Sequence, residues 1–263
     1  PTFDRIAKEG TLFPLAFNPA PSCSPCRASL LTGRTPHELG ERASLWSGFP
    51  QDTPVFTQLL RDAGYAIGYE GKPWGPGDAT VSGWKENPVG PKFKDFPAFL
   101  AARKSGQPFF YWLGNTDTAT RGGKRDFAEI ARNAGIDPAK LPIPAELPDC
   151  EATRLDLLNY YGGIVTMDRH SAQALAALEA AGELDHTLIV YVADNGWQMP
   201  RGLANCYDNG SRVPLAIRWG KHRIASGTEK MFVNLGDLAP TFLEVAGLTP
   251  PKEMSMHSLA PAL

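Results

Sequence analysis

The chain has 263 residues, 43% of them hydrophobic, and a formal net charge of −2. That is apolar material for one large domain or two small ones. The near-balanced charge leaves no basic footprint for nucleic acid, no apolar run is long enough to span a membrane, and the first residues carry no signal-peptide pattern. They read instead as the middle of a helix-forming segment, so the chain is expected to begin inside a longer one.

In chain order, Phe3, Ile6 and Ala7 share one face of a helix closed by Gly10, and 11–17 reads as a short strand. Pro25 suits the first turn of a helix, where proline has no N–H to lose. Gly33 suits the left-handed position that ends one. The spacing predicts a helix over 25–32 with Cys23 at its N-terminal mouth, where free amides and the macrodipole favour a tetrahedral anion. Arg27 adds a planar positive fork. Thr53 is the expected cap of the next helix, with Pro54 at its first position, Val55, Phe56, Leu59 and Leu60 as its stripe, and Gly64 as its stop.

Residues 65–70 read as a buried strand running into Gly71-Lys72, 93–104 as a helix, and 108–113 as a strand ending at Gly114. The stretch 115–149 is rich in Pro and Gly with little periodicity, a long loop of the kind that carries function. A long helix is predicted over 151–181. The strand 187–193 leads straight into Asp194-Asn195-Gly196. A strand over 213–219, another near Phe232-Val233 and a helix near 237–246 complete the pattern. Strands that are continuous apolar runs and alternate with helices predict an α/β, three-layer α/β/α sandwich with a mostly parallel central sheet. Polar sites in such sheets collect beyond the carboxyl ends of the strands. Lys72, Asp117 and Asp194-Asn195 all fall there.

Four cysteines occur: Cys23, Cys26, Cys150 and Cys206. The Cys23/Cys26 spacing by itself suggests a redox pair or half a zinc site. No second such pair exists, and His37, His170, His186, His222 and His257 are scattered, so no four-ligand set is completed. Asp194 and Asn195 offer two hard oxygens for Ca²⁺ or, less suitably, Mg²⁺. The same tripeptide is also an ordinary turn. A lone Lys72 is equally a solvated surface charge.

The segment 23–34 resembles the sulfatase signature, Cys-x-Pro-Ser-Arg followed by Thr-Gly-Arg. Cys23, Pro25 and Arg27 match, and Cys26 stands where Ser or Ala is usual. The resemblance implies an alkaline-phosphatase-like fold and oxidation of Cys23 to formylglycine by a formylglycine-generating enzyme. One hydroxyl of the hydrated aldehyde then attacks sulfur, and the other expels sulfate. It further implies that Arg27 and Lys72 hold the sulfuryl oxygens, and that Asp194, Asn195 and the modified Cys23 bind Ca²⁺. Trp74, Asp117 and Arg201 are substrate-side candidates, Trp74 as a stacking face or as plain core. Trp74-Gly75-Pro76-Gly77, Pro148-Asp149, Asp168-Arg169, Asn205-Cys206-Tyr207, Arg212-Val213-Pro214-Leu215, Asp237-Leu238-Ala239-Pro240-Thr241 and Ser258-Leu259-Ala260-Pro261 look like the bacterial relatives of sulfamidase, the heparan N-sulfatase group. A sulfated sugar and a periplasmic or secreted location follow as expectations.

The chain also departs from the pattern. The family opens with a strand ending in an Asp-Asp metal motif and closes with a small C-terminal domain, and the whole of 1–263 is expected to be a catalytic domain lacking both. Ala119, in Asp117-Thr118-Ala119-Thr120, stands where the subgroup carries His. Leu203 stands where Lys or Arg is expected, with Arg201 two residues earlier. The leading expectation is a sulfate ester or sulfamate hydrolase. The alternatives are a degenerate homologue that binds sulfated glycan without turnover and a phosphate or phosphonate ester hydrolase of the same superfamily.

Overall fold

Prolines and glycines divide this chain as sharply as its apolar runs. In the structure, a computed structural model describing residues 1–119, 126–220 and 227–263, α1 (Thr2–Glu9) ends at Gly10. Pro14 splits the expected strand 11–17 into β1 (Thr11–Leu12) and β2 (Ala16–Phe17), because proline cannot donate to a ladder. Helix α2 (Cys23–Thr32) begins two residues before the expected start, so Pro25 still lies in the turn whose amides need no partner. Gly33 ends it in the left-handed conformation (φ 61°). All residues of α2 except Cys23 are buried, which marks an interior helix rather than an amphipathic one.

Helix α3 (Phe56–Asp62) is preceded by Val55 rather than capped by Thr53. The Thr53 hydroxyl is drawn away, accepting from Arg42 (3.4 Å) and Arg34 (3.5 Å). The other elements follow the predicted order: β3 (Ala66–Gly71), α4 (Phe96–Ala102) capped by Asp95, and β4 (Phe109–Gly114). The expected 115–149 loop contains a short helix, α5 (Ala128–Asn133), and its residues 120–125, with Thr120, lie outside the described residues, as does His222. Then come α6 (Glu151–Ala180), β5 (Leu188–Val192), α7 (Asp208–Ser211), β6 (Leu215–Trp219), β7 (Gly227–Thr228), β8 (Val233–Asn234) and α8 (Leu238–Val245). Among the described residues no helix is long and apolar enough to cross a membrane.

The layers follow from period-two alternation. On β4, Phe110 and Trp112 face the cluster built on α2, α3 and α8, whereas Phe109 and Tyr111 face Phe96 and Phe99 of α4 and Leu178 of α6. Strand β5 does the same, with Val190 and Val192 on the first side and Ile189 on the second. Strands β3 and β4 pair in parallel, as do β2 with β8 and β1 with β7; β6 runs antiparallel to both β5 and β1. Strand β6 returns from β5 through a loop and one helical turn, and antiparallel neighbours need no crossover helix. Within the described residues β4 and β5 each pair along one edge only. Their apolar residues stay half-buried although both lie between the same two clusters.

Candidate functional site

The carboxyl ends of β3, β4 and β5 meet at the first turns of α2, and Arg27 joins them. Its guanidinium is buried, 6% exposed, with Cζ 5.6 Å from the Trp112 ring centre. Nε donates to Asp194 Oδ2 (2.7 Å), just past β5, and Nη1 donates to the carbonyls of Lys72 (2.8 Å) and Pro73 (2.9 Å), just past β3. Two of its three nitrogens are therefore taken by the protein. The sequence suggested a fork aimed at the ligand; the structure makes Arg27 first of all the clamp that fixes Asp194 and the Lys72 turn.

That turn depends on a pair of glycines in register. Gly71 sits opposite Gly114 with φ +68°, a conformation that favours glycine. A Cβ on Gly71 would collide with Gly114 O, and one on Gly114 with Lys72 O. The close approach lets Lys72 N donate to Gly114 O (2.7 Å) and sets the Lys72 side chain at the strand end. Gly196 works similarly after Asp194-Asn195. Its N–H donates to Gly210 O (3.0 Å), and a Cβ there would collide with Asn209 O, so the turn packs on α7.

Burial pushes the Asp194 carboxyl up. The charges of Arg27 and Lys72, with the Arg27 hydrogen bond, outweigh burial and hold it below the ordinary carboxylate value. Asn195 Oδ1 is buried with no hydrogen-bond partner, which suits a cation ligand. These oxygens do not by themselves make a calcium cage, which takes six to eight. Among the described residues no group of three or more His, Cys, Asp or Glu could hold a metal.

Cys23 is half-buried at the mouth of α2, with no side-chain cap from Ser22 over the first-turn amides. Ser24 anchors the turn by donating to Pro76 O (2.5 Å). Cys26 points the other way, into the core with no exposure, and burial, then the Asp194 charge, pushes its thiol well above the usual value. Both thiols are free. A sealed thiol of that kind is a poor redox partner, so the Cys23–Cys26 redox reading is not supported.

The substrate-side candidates separate. Trp74 is 2% exposed and meets Phe49 edge-on at 5.0 Å, so its ring is core and the stacking-face reading is corrected. Arg201 is exposed and stacks over Tyr207 at 5.2 Å. Its loop is bound to the signature segment through Ala204 N to Pro21 O (2.8 Å). Asp117 lies in the loop after β4, held by Asn115 Nδ2 (2.7 Å), and Ala119 N closes a turn on Thr116 O (3.1 Å). Trp112 beneath Arg27 was not anticipated, although its place in the strand run Phe109–Leu113 puts it on the α2 side by alternation. A separate cavity of about 400 Å³, lined by residues that include Arg34, Glu38, Arg42 and Asp52, opens beyond the far end of α2, away from Cys23.

A three-layer α/β frame thus gathers a buried Arg, a Lys and an Asp-Asn pair at the carboxyl ends of β3 and β5, with a thiol at the mouth of α2. A family model described as Sulfatase matches residues 1–83 and 92–248, and the chain belongs to the sulfatase family. It is 25% identical to an ulvan-active sulfatase of Formosa agariphila, covering 97% of this chain and 49% of that protein. It is 29% identical to human N-sulphoglucosamine sulphohydrolase, covering 93% of this chain and 55% of that one. The chain thus spans about half the length of these curated relatives. Among solved structures, a phosphonate monoester hydrolase from Silicibacter pomeroyi superposes with TM-score 0.77 at 21% identity, covering 100% of this chain and 71% of that one. A protein in complex with its substrate D-glucosamine-2-N,6-O-disulfate superposes with TM-score 0.73 at 21% identity, covering 100% and 74%. At such identities these likenesses speak for the fold alone.

Proposed function

We propose that this chain carries the nucleophile-bearing part of a hydrolase for sulfate esters or sulfamates of a sugar, with Cys23 as the formylglycine precursor. The observation that carries the reading is the Arg27 clamp. It binds the signature helix, the Lys72 turn and Asp194 into one positive cradle beside a half-buried Cys23. Once formed by a formylglycine-generating enzyme, the aldehyde hydrate supplies the oxygen nucleophile that a thiol does not. The chain's own residues bind and orient. Lys72 and the first-turn amides of α2 meet the sulfuryl oxygens where charge develops. Arg27 keeps Asp194 ionised and in place. Asn195 Oδ1 and Asp194 are the residues that would hold Ca²⁺, a Lewis acid for the sulfuryl oxygens when bound. Arg201 and Asp117 stand as substrate-side residues.

An Asp pair on a further strand would supply the missing oxygens, in keeping with β4 and β5 each pairing along one edge only among the described residues. Residues 1–263 are read as part of a sulfatase catalytic domain. The likeness to human N-sulphoglucosamine sulphohydrolase supports a sulfated glucosamine as the substrate class. A periplasmic or secreted location accompanies that reading. A second reading, binding of sulfated glycan without turnover, rests on Ala119 and Leu203 in place of the expected polar groups.

Mass spectrometry of the peptide containing Cys23, after co-expression with a formylglycine-generating enzyme, tests the assignment. Conversion at Cys23 is expected. An unmodified thiol in soluble, folded protein contradicts the nucleophile role.

A further inference from the structure

Three non-glycine residues in the described chain have a left-handed backbone: Trp46 (φ 63°), Arg201 (φ 62°) and Ala204 (φ 64°). They fall on two loops, and each loop is tied to the turn that carries Cys23. Ala204 N donates to Pro21 O (2.8 Å) on one side. On the other, Trp46 N donates to Pro76 O (3.0 Å), the same oxygen that accepts from Ser24 Oγ (2.5 Å). Trp46 is thus two hydrogen bonds from the residue next to Cys23.

A bulky side chain in this region of φ/ψ is an outlier that persists only where its surroundings impose it, and such outliers gather at ligand sites. Packing does not explain Trp46, because its side chain is 78% exposed. Its neighbours are exposed as well. Leu45 adjoins it, and Val81 (73% exposed) lies against the same loop, where a Cβ on Gly48 would sit 3.1 Å from Val81 Cγ2. The molecule therefore holds an apolar aromatic face out to solvent on a loop that shares an anchor, Pro76 O, with the turn of the proposed oxyanion cradle. A ligand that meets both needs an anionic group and, next to it, a flat C–H face edged with hydroxyls. A pyranose ring bearing a sulfuryl group has both.

We propose that Trp46 is a specificity-determining residue, the platform on which the sugar of the substrate stacks. The inference rests on the sulfuryl-transfer reading of the Cys23 site and adds to it the wall that selects a saccharide over a bare anion. Indole faces combine large contact area with a polar edge, which suits such rings.

The test uses the full protein carrying Cys23→Ser, so that nothing is turned over, with and without Trp46→Gly, Trp46→Ala and Trp46→Tyr. Calorimetric titration with inorganic sulfate and with glucosamine-2-N-sulfate is paired with thermal unfolding. Glycine accepts the left-handed backbone, so Trp46→Gly is expected to keep or raise Tm. It is also expected to weaken saccharide binding about ten-fold while leaving sulfate binding unchanged. Trp46→Tyr restores most of the affinity. Unchanged saccharide affinity in Trp46→Gly, or equal weakening of sulfate and saccharide, overturns the platform. So does a loss of self-association with saccharide affinity intact, which makes the patch a contact between copies. If the parent protein binds neither sulfate nor saccharide, the sulfuryl-transfer reading itself falls, and the platform with it.

Discussion

The Arg27 clamp and the two strained loops hold the same turn by opposite means. The Arg27 guanidinium is buried, and its hydrogen bonds to Asp194 and to the Lys72 and Pro73 carbonyls fix the ends of two strands, β5 and β3, to one side chain. In the loops at Trp46 and Arg201–Ala204, left-handed residues face solvent and anchor through backbone hydrogen bonds. In the proposed function the first region sets where chemistry happens, and its buried clamp tolerates little change. The second can vary at small cost to folding, so it is where selection among substrates is most cheaply built.

Breaking the clamp gives the largest effect. Arg27→Ala leaves the part-buried Asp194 without its hydrogen-bond partner, a loss that costs at most about 3–5 kcal/mol. Denaturant unfolding is expected to show that loss, and Arg27→Lys to recover only part of it, because an ammonium does not reproduce the guanidinium's planar set of donors to Asp194 Oδ2, Lys72 O and Pro73 O. Next in size is Gly114→Ala. The added methyl collides with Lys72 O, so overpacking of about 1–3 kcal/mol is expected, with a larger fall in kcat than in stability because Lys72 moves.

Acidification probes the same pair more gently. The Asp194 carboxyl is held below its unfolded value of about 3.9, so its contribution is present above that value and lost as pH falls through the lower folded one. Unfolding measured from pH 7 to 3 should show a shallower acid decline in Asp194→Asn than in the parent, from a lower starting stability. The smallest effect belongs to Cys26→Ala, expected to cost under about 1.5 kcal/mol and to leave turnover intact. Abolished turnover with retained fold would revive a role for that thiol.

The residues of the clamp, though not their bonding, are legible in the sequence because they sit at the ends of strongly apolar strands and in one contiguous signature. Gly33, Gly71 and Gly114 announced their turns for steric reasons that hold in any context. Tertiary bonds were harder to see. Its neighbours in sequence make Thr53 a cap, yet tertiary bonds to Arg34 and Arg42 decide its place. From the sequence Trp74 fits core or substrate face alike, and its burial against Phe49 decides for core. Trp46 carried no periodic signal, since a strained loop is defined by φ and by hydrogen bonds to distant residues. Whether Arg27 turns toward ligand or toward Asp194 was equally invisible, because 167 positions separate the pair.

The most direct test of the central claim is a matched comparison of kcat/KM. Protein with converted Cys23 is assayed on glucosamine-2-N-sulfate, an aryl sulfate, an aryl phosphate and an aryl phosphonate, beside Cys23→Ala. The account predicts sulfate release that exceeds phosphate and phosphonate turnover and disappears in Cys23→Ala with the fold intact. Phosphate or phosphonate turnover equal to or above sulfate release, or sulfate release that survives Cys23→Ala, contradicts it.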